Sequence, residues 1–325
     1  MFVPVYNILI GSVRFSRIVE TEIFKSTKVA GQTATIKLPT SAVLIQQGAN
    51  AGTVEVAKQF KVGDTVTISC GYQDVLVQQE FTGYVSRIRH EDPVVIECED
   101  EMYRLRQRHV NQSWQDIAIK QVLNTVLSEF NDLKLDKNIP GVTFDQLQIK
   151  ANGKEVIEKL SSEYGLDIYF ENKTLYAELP YLRNKGFVTF NISGEESNCA
   201  SVDSLEYHKA EDVKLKVKAI SILQNNTRIE AETGDADGDL RTLFFYNITS
   251  KADLTARAKT EIEKYKYDGY EGSFKSFFIP DSQPGMVAKI NDPQYGREGN
   301  YYIEAVKITG GQGGLMRENT IKLKL

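Results

Sequence analysis

Three aspartates at alternate positions, Asp235, Asp237 and Asp239, come nearest in this sequence to a recognisable chemistry. Carboxylates at every second position supply the oxygen ligands that open a calcium-binding loop. The remainder of such a loop is absent. Leu240 stands where glycine must make the sharp turn, and Tyr246 stands where a bidentate glutamate must close the site. The segment 234–239 therefore reads as a hairpin tip, since Gly and Asp accept left-handed turn conformations. Acidic neighbours such as Glu195 and Glu196, or Glu97, Glu99 and Asp100, would suit glycosidase acid–base work only at a fixed separation across a cleft. With 44 acidic residues in the chain, proximity in sequence does not single out a pair. The three histidines, His90, His109 and His208, have no metal-ligand spacing and read as surface or loop residues. Residues 310–314 are glycine-rich, but no helix follows them, so they read as a flexible hairpin loop and not a phosphate cradle. Asn225 and Asn247 open glycosylation sequons that carry no meaning in a chain read as unsecreted. The serine-hydrolase GxSxG, the zinc-binding HExxH and the P-loop pattern are all missing. Catalytic residues, a metal and a cofactor are accordingly not expected.

The elements that would carry any site are mostly strands. Residues 3–10, 13–24, 33–38, 60–71, 80–89 and 94–98 alternate or run apolar and stop at Gly, Pro or Asp. The character changes after residue 103. Ser113 to Asp116 resembles a capping box, and Ile119, Val122, Leu123, Val126, Leu127 and Phe130 follow at helical spacing. Asn152 to Glu155 forms a second cap for a helix that ends at Gly165. Residues 166–170 and 174–177 flank Asn172 and Lys173 as a hairpin. From residue 186 strands return: 213–222, 227–232 and 240–247, then 272–279, 286–290, 301–308 and 320–325. A helix capped by Ser250 interrupts them near 250–267. The domain reading is a first β domain over 1–103, a small α/β domain over 104–182 and a second β domain over 183–325. The fold class is mainly β with an α/β module: two related barrel-like domains and one further helix.

The two β regions echo each other. Val62 to Ile68, with Gly63 and Asp64, resembles Pro284 to Ile290, with Gly285. Gly83 to Ile88 resembles Asn300 to Val306. In each copy a polar turn and a last strand follow, so one order of elements is used twice.

Composition sets outer limits. A net charge of −5 without a Lys/Arg run leaves no footprint for tight nucleic-acid binding. No stretch approaches the ~18 apolar residues of a membrane span. The apolar start lacks a basic region and a cleavage site, so it reads as a first strand and not a signal peptide. Three scattered cysteines, Cys70, Cys98 and Cys199, cannot all pair and fit synthesis in a reducing compartment. The single Trp114 sits at the expected helix start, which argues against a sugar-binding aromatic platform.

Taken in order, these segments resemble the hub proteins of contractile tails. That family includes the late control protein D of temperate phages, the baseplate hub of large myophages and the N-terminal part of type VI secretion spike proteins. Phe60 to Tyr72, with Gly63, Asp64, Gly71 and Tyr72, is similar to the family strand G-D-x-V-x-Φ-x-x-G-Y. Glu80 to Ile88, with Gly83, is similar to F-x-G-x-V-x-x-Φ. Ile96 to Asp100 is similar to Φ-x-C-x-D, which leads into a helical domain. Pro284 and Gly285 open the C-terminal pair. The resemblance implies a structural and non-enzymatic homotrimer whose two β domains per chain make a ring of six. Such a ring would join a sixfold tail tube to a threefold central spike among other baseplate proteins. It implies synthesis in the bacterial cytoplasm, assembly into a virion tail or injection-particle baseplate, no membrane insertion, and only transient passage of DNA or effector through the lumen. The chain ends at Leu325, where the secretion spikes continue into a needle, so the spike is expected as a separate polypeptide. The rival readings are a carbohydrate- or surface-binding β module of a virion and a particle-borne cell-wall hydrolase.

Overall fold

Alternation of apolar and polar residues produces the strands wherever one face can be buried. The computed structural model describes residues 3–46 and 49–325; Met1 and Phe2, at the head of the expected first strand, lie outside the described residues. The first region contains β1 (Pro4–Ile10), β2 (Val13–Phe15), β3 (Glu20–Ser26), β4 (Thr33–Leu38), the hairpin β5 (Ser41–Gln46) and β6 (Ala49–Glu55), then β7 (Thr65–Tyr72), β8 (Leu76–Arg89) and β9 (Val94–Glu99). The expected strand over 13–24 is thus two strands, broken at residues 16–19.

The middle region contains α1 (Met102–Gln107), β10 (His109–Ala118), α2 (Ile119–Leu127), β11 (Lys134–Leu135), β12 (Thr143–Asn152), α3 (Gly153–Tyr164), β13 (Asp167–Glu171) and β14 (Thr174–Glu178). Residues 113–116 are not a helix cap. They lie in β10, paired with β12, and the helix starts only at Ile119. The competing signal is the partner strand: Val110 and Ile117 of β10, with Phe144, Leu147 and Ile149 of β12, are buried in the module core. Trp114 is half-buried against that core from within the strand. The second cap is as expected: the Asn152 side chain accepts the Glu155 amide at 3.0 Å, the Glu155 carboxylate accepts the Asn152 amide at 3.1 Å, and Gly165 ends the helix at φ +62°.

The last region contains β15 (Phe187–Asn191), β16 (Cys199–Ser201), β17 (Leu205–His208), β18 (Leu215–Ile222), β19 (Arg228–Gly234), β20 (Asp239–Tyr246), α4 (Lys251–Glu263), β21 (Gly269–Phe277), β22 (Val287–Asp292), β23 (Arg297–Gly311) and β24 (Gly314–Lys324). Helix α4 is capped by Ser250, whose hydroxyl accepts the Asp253 amide at 3.3 Å. Residues 234–239 are not a hairpin tip, because β19 and β20 do not pair with each other. Strand β18 lies between them, antiparallel to β19 and parallel to β20. Alternation along β18 supplies the reason. Val217 and Ala219 face α4, while Ile220 and Ile222 face the middle module, so β18 is covered on both sides and takes the central position. The loop at 310–314 does join a hairpin, β23 to β24.

The chain is mainly β, as expected. Apart from the β5–β6 hairpin and the separate sheet of β18, β19 and β20, the strands of the two outer β regions form one 14-stranded sheet and share one core, which runs from Ile8, Ile36, Ile68 and Phe81 to Phe190, Phe274, Phe278 and Ile321. Each such side chain, fully buried, contributes about 1.5–3 kcal/mol. The two regions meet where β3 pairs with the second half of β23, Ser26 opposite Ala305 through Glu20 opposite Gly311. No helix among the described residues is long and apolar enough to cross a membrane.

Candidate functional site

The two turn glycines of the sequence motifs, Gly63 and Gly285, occupy corresponding places in the two β regions. Gly63 has φ +94° and Gly285 φ +90°, conformations that strain a residue with a Cβ. The Gly63 amide donates to the Val85 carbonyl at 2.8 Å, Val85 donates back to Asp64 at 2.8 Å, and Asp64 donates to Lys61 at 3.1 Å. In the second region Gly285 donates to Ile303 at 2.9 Å, Ile303 donates back to Met286 at 2.9 Å, and Met286 donates to Gln283 at 3.1 Å. Pro284 supplies the fixed φ that precedes this glycine. Beyond the turns, Thr65 faces Tyr84 and Val287 faces Tyr302. The register then slips between Val85 and Arg87 in one copy and between Ile303 and Ala305 in the other. The turn, the register and the bulge all recur.

Gly71 and Gly83 sit where chains approach too closely for a side chain. A Cβ on Gly71 would lie 1.9 Å from the Leu76 carbonyl oxygen, and one on Gly83 would lie 2.1 Å from that of Glu99. Tyr72, next to Gly71, crosses to the other β region. Its hydroxyl donates to Leu315 O at 3.1 Å, its ring meets Phe278 edge-on at 6.0 Å, and the Phe278 amide donates to its oxygen at 3.4 Å.

Around this junction lies a buried charge cluster that the sequence reading did not find. Glu80 of β8 is paired with Lys25 of β3 and with Arg317 of β24, and Arg317 also reaches Asp281 at 2.9 Å. The Arg317 side chain is fully buried. Its Nε donates to Phe278 O at 2.9 Å, its Nη1 donates to Ser282 O at 3.2 Å, and its guanidinium lies 4.2 Å above the Phe278 ring. Gln78 and Gln283 complete the network, donating to both Glu80 and Asp281. Burial alone would raise the Glu80 carboxyl; the fields of Lys25 and Arg317 and the hydrogen bonds from Lys25 and Gln78 outweigh it and bring the group down to about 2. The signal was present in β24, where inward positions 315, 317, 319 and 321 read Leu, Arg, Asn and Ile. It becomes legible only when the strand's inner face is known.

Asp100 closes the first β region. It is buried and accepts the amides of Gln32 at 2.8 Å and Met102 at 2.9 Å. Burial pushes its carboxyl up, and although the two amides oppose this it reaches about 7. A cavity of about 190 Å³ lies beside it, lined by Lys25, Glu80, Tyr169, Lys185 and Gln283, where both β regions meet the middle module. Across the same junction Asp167 pairs with Lys28 at 2.9 Å. Burial raises Asp167 to about 6 against the opposing field of Lys28. Between about pH 4 and 7 the folded chain therefore holds protons at Asp100 and Asp167 that the unfolded chain releases, so stability falls as pH rises through this window. Glu80 acts in reverse, and its contribution is lost only as pH falls from about 4.5 toward 2. Thermal unfolding is expected to show a higher melting temperature at pH 5 than at pH 8. Asp100→Asn should flatten that slope, and an unchanged slope in the variant would remove Asp100 as its cause.

Among the described residues no group of three or more His, Cys, Asp or Glu side chains is placed to hold a metal ion. Asp235 accepts the Leu215 amide at 3.0 Å and pairs with Lys266 at 2.9 Å, and Asp237 pairs with Lys214. These aspartates brace the end of β18 and already carry cations. Millimolar calcium is accordingly expected to leave the melting temperature unchanged; a chelator-reversible rise would contradict this. His90 and His109 are exposed, and His208 lies against the Tyr267 ring at 4.9 Å.

No family's sequence profile matches the chain, and no curated protein does. Solved structures do match. The 43 kDa tail protein of prophage MuSo2 from Shewanella oneidensis superposes with a TM-score of 0.63 at 14% identity, covering 98% of this chain and 97% of that one. A tail protein from Neisseria meningitidis gives 0.64 at 12% identity, covering 99% and 97%. An E. coli protein described as a component of the type VI secretion system, structurally similar to T4 phage tail proteins, gives 0.58 at 11% identity, covering 97% and 76%. At such identities the likeness is one of fold, and the chain has the fold shared by these phage tail and type VI secretion proteins.

Proposed function

We propose that the chain is a structural hub of a contractile phage tail or phage-like injection particle. It assembles as a homotrimer and adapts a sixfold tail tube to a threefold central spike. The observation that carries this is the recurrence of one turn, one register and one bulge in the two β regions. Two equivalent units per chain make six quasi-equivalent positions only when three chains close a ring. The first β domain over 1–103 and the second over 183–325 would form the ring wall, and the module over 104–182 would stand outside it. The tail tube, the spike and other baseplate proteins are the partners. DNA or effector passes through without being held, and a chain of net charge −5 suits that role. The polar junction serves as a structural brace, and no enzymatic activity belongs to this role.

Light scattering on the purified chain is expected to give three chain masses at high concentration. A structure of the assembled particle should show three copies around a channel. A dimer or a hexamer of this chain in the particle would overturn the reading, as would a lumen lined mainly by Lys and Arg.

A further inference from the structure

The seam inside one chain contains a template for the seam between chains. Strand β22 accompanies β23 from Arg297 only as far as Tyr302, and on the same edge β3 takes over from Ala305 to Gly311. In the first region β7 accompanies β8 only as far as Tyr84. Beyond the bulge, residues 87–89 of β8 have β9 on one edge and no strand on the other among the described residues. The recurring bulge makes Arg87, Ile88 and Arg89 the equivalents of Ala305, Val306 and Lys307.

The counterpart of β3 follows from the same registers. Cys98 faces Ala34, which faces Ile23; Ile321 faces Gly272, which faces Leu205. Since Cys98 faces Val85 and Ile321 faces Ile303, Leu205 of β17 is the equivalent of Ile23 of β3. Strand β17 is paired with β21 on one edge and open on the other among the described residues.

We propose that the open edge of β8 in one copy pairs antiparallel with the open edge of β17 in a second copy of this chain, placing Arg87 opposite His208, Ile88 opposite Tyr207 and Arg89 opposite Glu206. The chemistry of the two edges fits. Arg89, which pairs with Glu97 of β9 in its own chain, and Glu206 are exposed and oppositely charged, while Ile88 and Tyr207 are half-buried on the core side of their strands. The contact is heterologous, one edge type meeting the other, and such contacts close into a ring when the rotation allows. It removes two unpaired edges from each chain. The proposal rests on the trimer reading above and specifies which surfaces build it.

The test uses full-length chains in a Cys199→Ser background, since the other two cysteines, Cys70 and Cys98, are buried. Chains carrying Arg89→Cys are mixed with chains carrying Glu206→Cys and oxidised; a disulfide-linked dimer of the two is expected. One chain carrying both substitutions should give a covalently closed trimer. Ser204→Cys, two residues out of register, should link poorly to Arg89→Cys. Reversing charge at Arg89→Glu should weaken association about two- to fivefold, and adding Glu206→Arg should restore it. A trimer by light scattering that forms no Arg89→Cys to Glu206→Cys link, or links equally through Ser204→Cys, overturns this pairing and leaves the trimer standing. A chain that stays monomeric or dimeric at every concentration, with no link, overturns both.

Discussion

Replacing Glu80 with Gln is expected to destabilise the chain by about 3–5 kcal/mol, because it leaves buried cations without their counter-charge. The side chains of Glu80 and Arg317 are both fully buried, and that of Lys25 is 9% exposed. Gln keeps the shape of the site and can still accept hydrogen bonds, so the loss is one of charge. Only Asp281 would remain beside Arg317, and it is 41% exposed, which lets water screen it. The cluster draws on β3, β8, β24 and the loop at 278–283, so both β regions should loosen together. Denaturant titration would measure the loss. The double variant Glu80→Gln with Arg317→Met should cost less than Glu80→Gln alone, since it also removes the stranded guanidinium. A Glu80→Gln loss below about 1 kcal/mol would show that the cluster is solvated and does not brace the junction.

Gly71→Ala is the second large effect. The added methyl carbon would fall 1.9 Å from the Leu76 carbonyl oxygen and 2.7 Å from the Val77 Cα, both of them backbone atoms that no rotamer change can move aside. The β7–β8 hairpin must open, and Tyr72 must move with it, away from Leu315 O and Phe278. Overpacking of this kind costs about 1–3 kcal/mol, and the upper end is expected here because both strands are held by further partners, β1 and β9. Calorimetry should register a clear fall in melting temperature. Gly141→Ala provides the contrast of an open position, because among the described residues a Cβ there meets nothing within 4 Å. A Gly71→Ala chain as stable as the native one would mean that the hairpin relaxes freely at that point.

Much of the local structure was legible before any fold was known. Alternation marked β4, β7, β9 and β22, because a strand with one buried face must place apolar residues at every second position. The Asn152–Glu155 cap and Gly165 marked both ends of α3, because capping is settled within four residues of the helix terminus. Gly63 and Gly285 marked the two turns, because each position needs a left-handed φ. The strand at 109–118 was misread because a polar Ser-x-x-Asp pattern satisfies a capping rule as well as an exposed strand face does. Only its pairing with β12, some 30 residues further along, decides between them.

The sequence by itself determined the β character of the chain, the α/β module, the repeated turn-strand order and the absence of recognisable catalytic motifs. These follow from periods of two and 3.6 residues and from the stereochemistry of single positions. Tertiary structure alone decided that β3 meets β23 across nearly 280 residues, that β18 lies between β19 and β20, and that Lys25, Glu80 and Arg317 converge in the interior. Strand partners and the buried face are chosen by the fit of surfaces far apart in the chain, and no spacing of neighbours encodes that choice. A charged residue at an alternating position is ordinary on a solvent face and becomes a brace only when its face turns inward against an opposite charge.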